Sequence, residues 1–119
     1  MFVEYQKVRQ EPGRVVRRWF EDAGFDLVVW YEPVGALAGF QIIYPGAGAE
    51  RALTWREGHG FEHSRVDGGD ESPLKNLTPI LIPEGAVPWE WLRREFAGRS
   101  GDLEPSLRAW IAGRLEGRR

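Results

Sequence analysis

Residues 14–55 read RVVRRWFEDAGFDLVVWYEPVGALAGFQIIYPGAGAERALTW. Apolar runs alternate there with Gly- and Pro-containing turns at 22–24, 32–35 and 45–49, a pattern that predicts an antiparallel meander. A strand with one wet face alternates apolar with polar residues, because successive side chains point to opposite sides. The central runs do not alternate. Leu27, Val29 and Tyr31 project one way while Val28 and Trp30 project the other, and Ile42 and Ile43 repeat the arrangement on the next strand. Both faces of the sheet centre are therefore expected to be covered. Residues 51–56 do alternate, Leu53 and Trp55 against Thr54 and Arg56, which places that strand nearer an edge or a wet surface.

Working outward, Val3 and Tyr5 alternate with Glu4 and Gln6, so residues 2–9 read as a strand. Glu11-Pro12-Gly13-Arg14 has the chemistry of a type II turn and leads into a strand at 15–20. The meander then holds about five strands in sequential order, with a register that turn lengths alone do not fix. Residues 57–76, EGHGFEHSRVDGGDESPLKN, form a polar loop or a short hairpin around Phe61 to Val66. The apolar piece at 77–83 contains Pro79, which cannot donate to a ladder, and is expected at a sheet edge.

Two helices close the chain. The first starts near Pro88, carries Trp89, Leu92 and Phe96 on one stripe and stops at Gly98. The second is capped at Asp102, has Pro105 early, and presents Leu103, Leu107, Trp110, Ile111 and Leu115 on a broad apolar face. Arg114, Arg118 and Arg119 complement the negative end of its dipole. The expected fold is α+β, a single domain over 1–119. It comprises a strand meander (1–56), the polar loop or hairpin (57–76), and an edge segment with two helices packed on one face of the sheet (77–119). Two short helices cannot cover both faces. The second face needs the 57–76 segment, the N-terminal strand folding over, or another subunit, and a homodimer is the simplest solution.

Composition excludes several classes of function. At 119 residues with 42% hydrophobic content the chain can bury a core of its own. A net charge of -2 offers no long-range attraction to a phosphate backbone, so no nucleic acid partner is expected. The chain has no Cys, which removes disulfides, thiolate metal sites and a thiol nucleophile. Glu4, Lys7 and Arg9 interrupt what would be the apolar core of a signal peptide, and no run reaches membrane-spanning length. A cytoplasmic location without membrane contact follows as the expectation. Of the 16 basic residues only Lys7 and Lys75 are lysines, an arginine bias that fits a GC-rich bacterial genome and is not itself evidence of anion chemistry.

Two sets of residues carry chemistry. His59 and His63 stand in an H-x3-H spacing with Glu62, Asp67, Asp70 and Glu71 nearby. On a helix this spacing brings two rings to one face for a metal, but Gly58 and Gly60 oppose helix, and His59, His63 and Asp67 lack a third His or a Cys. No metal or other cofactor is assigned. The Asp67-Gly68-Gly69-Asp70-Glu71-Ser72 run lacks the spacing and flanking helices of a calcium loop and reads as a turn. His59, His63 and Asp67 remain the catalytic candidates, with Glu62 as an alternative carboxylate and Ser64 or Thr54 as a hydroxyl. No nucleophile elbow, HExxH, P-loop or dinucleotide fingerprint is present.

The second set is Arg17 and Arg18 with Trp30, Gln41 and Trp55, which would line a pocket for an anionic or planar ligand. Against it stands a structural account. The tryptophans, Trp19 included, are core or interface residues, one arginine is solvated and the other pairs with Asp26 or Glu32. The reading that follows is a binding or interaction module that self-associates. The alternative is a small hydrolase-like or metal-binding enzyme using the His59 to Asp67 segment.

Overall fold

The computed structural model of the chain describes residues 1–5, 16–67, 80–83 and 85–117. Strands β1 (Val3–Glu4), β2 (Val16–Asp22), β3 (Phe25–Tyr31), β4 (Leu37–Tyr44), β5 (Arg51–Arg56), β6 (Gly60–Asp67) and β7 (Ile80–Pro83) pair antiparallel in sequential order. Helices α1 (Trp89–Arg99) and α2 (Pro105–Glu116) follow. The architecture is α+β, an antiparallel meander with two C-terminal helices. The turn at 11–14, the acidic residues Asp70 and Glu71, and Pro79 lie outside the described residues.

Two strands beyond the expected five come from the polar segment and the piece after it. β6 has few apolar residues, yet its backbone ladder with β5 is complete from Arg51↔Arg65 to Arg56↔Gly60. Its two anchors, Phe61 and Val66, sit at positions of opposite parity and pack on opposite faces. As a result β5 is flanked on both sides and is not near an edge, and Thr54 is buried. The helix limits also shift. α1 continues through Gly98 because Arg99 is anchored, donating to the Asp22 carboxylate at 3.1 Å. Glu104, not Asp102, stands at the start of α2, with Pro105 in the first turn.

Register divides the side chains into two layers. Phe20, Leu27, Val29, Phe40, Ile42, Tyr44 and Leu53 form one core with Leu92, Phe96, Leu107, Ile111 and Leu115 of the helices. On the opposite face Trp19, Val28, Ile43, Ala52 and Val66 form a second, smaller cluster. Val28 is 2% exposed and Ile43 is fully buried within the single chain. Both faces are covered, and the uncovered apolar face that motivated a second subunit does not exist among the described residues. The large apolar side chains that remain exposed there, Met1, Val3, Val16 and Val34, come from three separate parts of the chain.

Charged clamps hold the helices to the sheet. Arg18 donates to both oxygens of Glu4 on β1 (2.8 Å each) and to both oxygens of Glu104 before α2 (2.7 and 3.2 Å), and also to the Tyr31 hydroxyl at 3.2 Å. Arg99 binds Asp22 and Glu95 while lying 3.9 Å from the Phe25 ring centroid. The Asp22 carboxyl is held below its ordinary value of 3.8 by a hydrogen bond from the Met1 amino group and by Arg99.

The β2–β3 hairpin closes through two residues, Ala23 and Gly24, at φ 45° and 90°. Positive φ at both positions marks a primed turn, and Ala23 carries a Cβ penalty of about 1 kcal/mol there. Ala23→Asn should therefore raise stability by roughly 0.5 to 1 kcal/mol, read as a higher urea midpoint with an unchanged m value. Because the folded pKa of Asp22 is depressed, its contribution is present above the unfolded pKa and is lost as pH falls through the folded value. In acid titrations from pH 5 to 2, Asp22→Asn should lower stability at the upper end and flatten the loss toward the lower end.

Candidate functional site

Strand parity separates residues that adjoin in sequence. Arg17 faces the helix-free side and Arg18 the helix side, and Trp30 and Gln41 fall with Arg17 while Trp55 falls with Arg18. The structure thus brings together three of the five expected ligand residues. Arg18 is spent in its clamp with Glu4 and Glu104, not in the expected pair with Asp26 or Glu32. Trp55 belongs to an aromatic cluster beneath α2, edge-on to Trp110 at 5.4 Å, with the Arg114 guanidinium 4.8 Å from its ring and 4.2 Å from that of Trp110.

On the helix-free side, successive register pairs run Arg17↔Trp30, Trp30↔Gly39, Gly39↔Arg56. This row crosses four strands and holds an arginine at each end. Its third member must be glycine. A Cβ at Gly39 would meet the Trp55 carbonyl oxygen at 2.5 Å, where β4 leaves the bulge opposite Trp30 and Tyr31. Over the gap left by the missing side chain, the Arg56 guanidinium lies 4.4 Å from the Trp30 ring centroid. Arg56 is exposed and makes this cation–π contact, with no carboxylate partner among the described residues. Arg17 lies 5.7 Å from the ring of Trp19.

The next row is structural. Gln41 Nε2 donates to Thr54 Oγ1 at 2.9 Å, and both residues are buried. Trp19 Nε1 donates to Asp26 Oδ2 at 2.8 Å, which satisfies a buried carboxylate. Gln41 therefore supports the floor and offers no open amide. Arg56 and Gly39 escaped sequence reasoning because their place beside Trp30 depends on register. The alternation of Thr54 and Arg56 against Leu53 and Trp55 was the one signal available.

The histidine set is spread out. His59 lies exposed in the β5–β6 turn, with Nδ1 3.3 Å from the Glu57 carbonyl. His63 is on the helix side of β6, and Asp67 ends the strand opposite Ile80. From His63 to Asp67, four residues of strand span about 13 Å, whereas the same spacing on a helix spans one turn. No group of three His, Asp or Glu residues able to hold a metal occurs among the described residues. Ser64 and Thr54 are on the face opposite His63, so neither hydroxyl meets its imidazole.

His63 has a different partner, Tyr44. Their rings stack at 5.9 Å with planes 9° apart, and the Tyr44 hydroxyl is hydrogen-bonded to His63 Nε2. His63 Nδ1 donates to the Gly85 carbonyl, 2.9 Å away, and in that tautomer Nε2 accepts from the Tyr44 hydroxyl. The pair ties β4 and β6 to the segment that enters α1. Tyr44 is 4% exposed and also packs against Trp91 at 5.6 Å, so its hydroxyl is enclosed by the fold. Tyr44→Phe should cost about 1 kcal/mol by stranding a half-buried nitrogen. In native-state hydrogen exchange, protection in α1 should fall more than protection in β2 or β3.

Comparison of the chain with protein-family models, with curated proteins and with solved structures finds no match. Its function has to be argued from the chemistry of its own site.

Proposed function

We propose that the protein is a small binding module whose helix-free sheet face recognises an anionic group carried on a planar ligand. The observation that carries this reading is the Arg56 guanidinium, exposed, lying over the Trp30 ring and without a carboxylate partner among the described residues. A guanidinium over an aromatic ring can still offer its N–H groups to the two oxygens of a carboxylate or phosphate. The half-buried Trp30 ring, which covers the gap above Gly39, supplies an apolar wall beside the guanidinium. Gln41, Thr54, Trp19 and Asp26 fix the backbone beneath by hydrogen-bonding one another. The Tyr44–His63 pair serves as a latch for α1.

The test is a titration of the full chain with phenyl phosphate and with benzoate, followed by tryptophan fluorescence and by backbone amide shifts. Saturable binding centred on residues 30, 39 and 56 is expected, weakened about tenfold by Arg56→Gln and weakened by added salt. Arg56→Lys should restore little, because a point charge replaces the stacked fork. Equal affinity in the wild type and Arg56→Gln, or no saturable shift with either probe, would remove the reading.

A further inference from the structure

Away from the sheet, α1 and α2 leave a groove of about 280 Å³ between them. Its floor is Phe96 and Leu115, both buried, and its walls are the small side chains of Ala97, Ala109 and Ala112. Small residues at facing positions keep the helices from closing the gap with their own side chains. From Arg93 at one end to Ser100 at the other, seven residues of helix give it a length of about 10 Å.

Charge is distributed unevenly along this groove. At the Glu116 end Arg93 is engaged, with Nε 3.5 Å from Glu116 and Nη1 donating to the Leu115 carbonyl at 3.2 Å. At the Ser100 end stands Arg108, exposed, with no ion pair or side-chain hydrogen bond among the described residues. The Ser100 hydroxyl contacts the Ala97 carbonyl of its own helix at 3.5 Å and adds no charge. The groove therefore joins an apolar body to one open cation.

We propose that this groove binds a single small amphipathic carboxylate, with its acid group on Arg108 and its alkyl chain along Ala109, Ala112 and Phe96 toward Leu115. One open guanidinium accommodates one anion, and Glu116 at the opposite end disfavours a second. The apolar lining matches a saturated chain or a ring and offers no row of donors for a sugar or a nucleotide. A second copy of the chain is a poorer occupant, since the exposed large apolar side chains among the described residues do not form a ridge that could fill a 10 Å groove. This site is independent of the Arg56–Trp30 stack, which lies on the face of the sheet away from the helices.

Sodium octanoate, octan-1-ol and octylamine, each kept below its aggregation limit, are titrated into the labelled full chain and followed by amide shifts. Octanoate should bind saturably with shifts confined to residues 93–100 and 108–116. Arg108→Gln should weaken octanoate about tenfold and leave octan-1-ol unchanged. Ala109→Trp, at an exposed position that lines the groove, should block both while the urea midpoint holds. Octylamine binding as tightly as octanoate, shifts that map elsewhere, or an octanoate affinity indifferent to Arg108→Gln would each overturn the proposal.

Discussion

The structure depends on one constraint, that the centre of the sheet is buried on both faces. Leu27 and Val28 are adjacent and buried, as are Ile42 and Ile43, so neither β3 nor β4 has a side that can be left to water. Burying each such side chain contributes roughly 1.5 to 3 kcal/mol before conformational entropy is set against it. Two-sided burial brings its own difficulty. Where both faces are apolar, a slip of one residue exchanges one apolar set for another, and hydrophobicity no longer specifies register. Polar pairs and turns supply the missing specification. Trp19 reaches Asp26, and Gln41 reaches Thr54, only in the observed pairing, and the two-residue turn at Ala23 and Gly24 fixes β2 on β3.

Arginine use follows from the same division into faces. On the helix side, Arg18, Arg99 and Arg114 are consumed. Two of them join carboxylates on different elements, and the third lies against the Trp55 and Trp110 rings while donating to a helix carbonyl. Each is partly desolvated by aromatic surface, where a guanidinium loses less hydration than an ammonium would. Among the described residues Arg56 and Arg108 form no salt bridge with a carboxylate. The count of arginines in the chain therefore says little about anion binding, and their packing partners say much more.

How much of this was legible in the sequence varies along the chain for physical reasons. β3, β4 and β5 were read with their observed limits, because unbroken apolar runs between Gly and Pro turns leave few alternatives. β6 was harder. Its residues Glu62, His63 and Arg65 give no apolar alternation, and its strand state comes from the ladder with β5, a tertiary effect. The site shows the same limit. That Arg17 and Arg18 point apart follows from period two, but that Trp30 and Gln41 join Arg17 while Trp55 joins Arg18 requires the cross-strand register. With His59 in the turn before β6 and His63 on the strand, the two histidines do not share an element, and His63 is left to find Tyr44.

Gly39 links the fold to its proposed use. The approach of the Trp55 carbonyl to this position excludes any side chain, and the bulge beside it sharpens the local twist of β4. A glycine within a sheet leaves a hole in the side-chain layer and exposes backbone, which neighbouring aromatic residues commonly cover. Trp30 leans over the gap from β3, with its ring 3.4 Å from where a Cβ would stand, and Arg56 reaches across from β5 to lie on that ring. Backbone crowding on one strand thus places a planar cation on a planar aromatic surface at the wet end of an otherwise buried face. The contact covers a defect in the sheet, and it holds an exposed guanidinium against an aromatic ring.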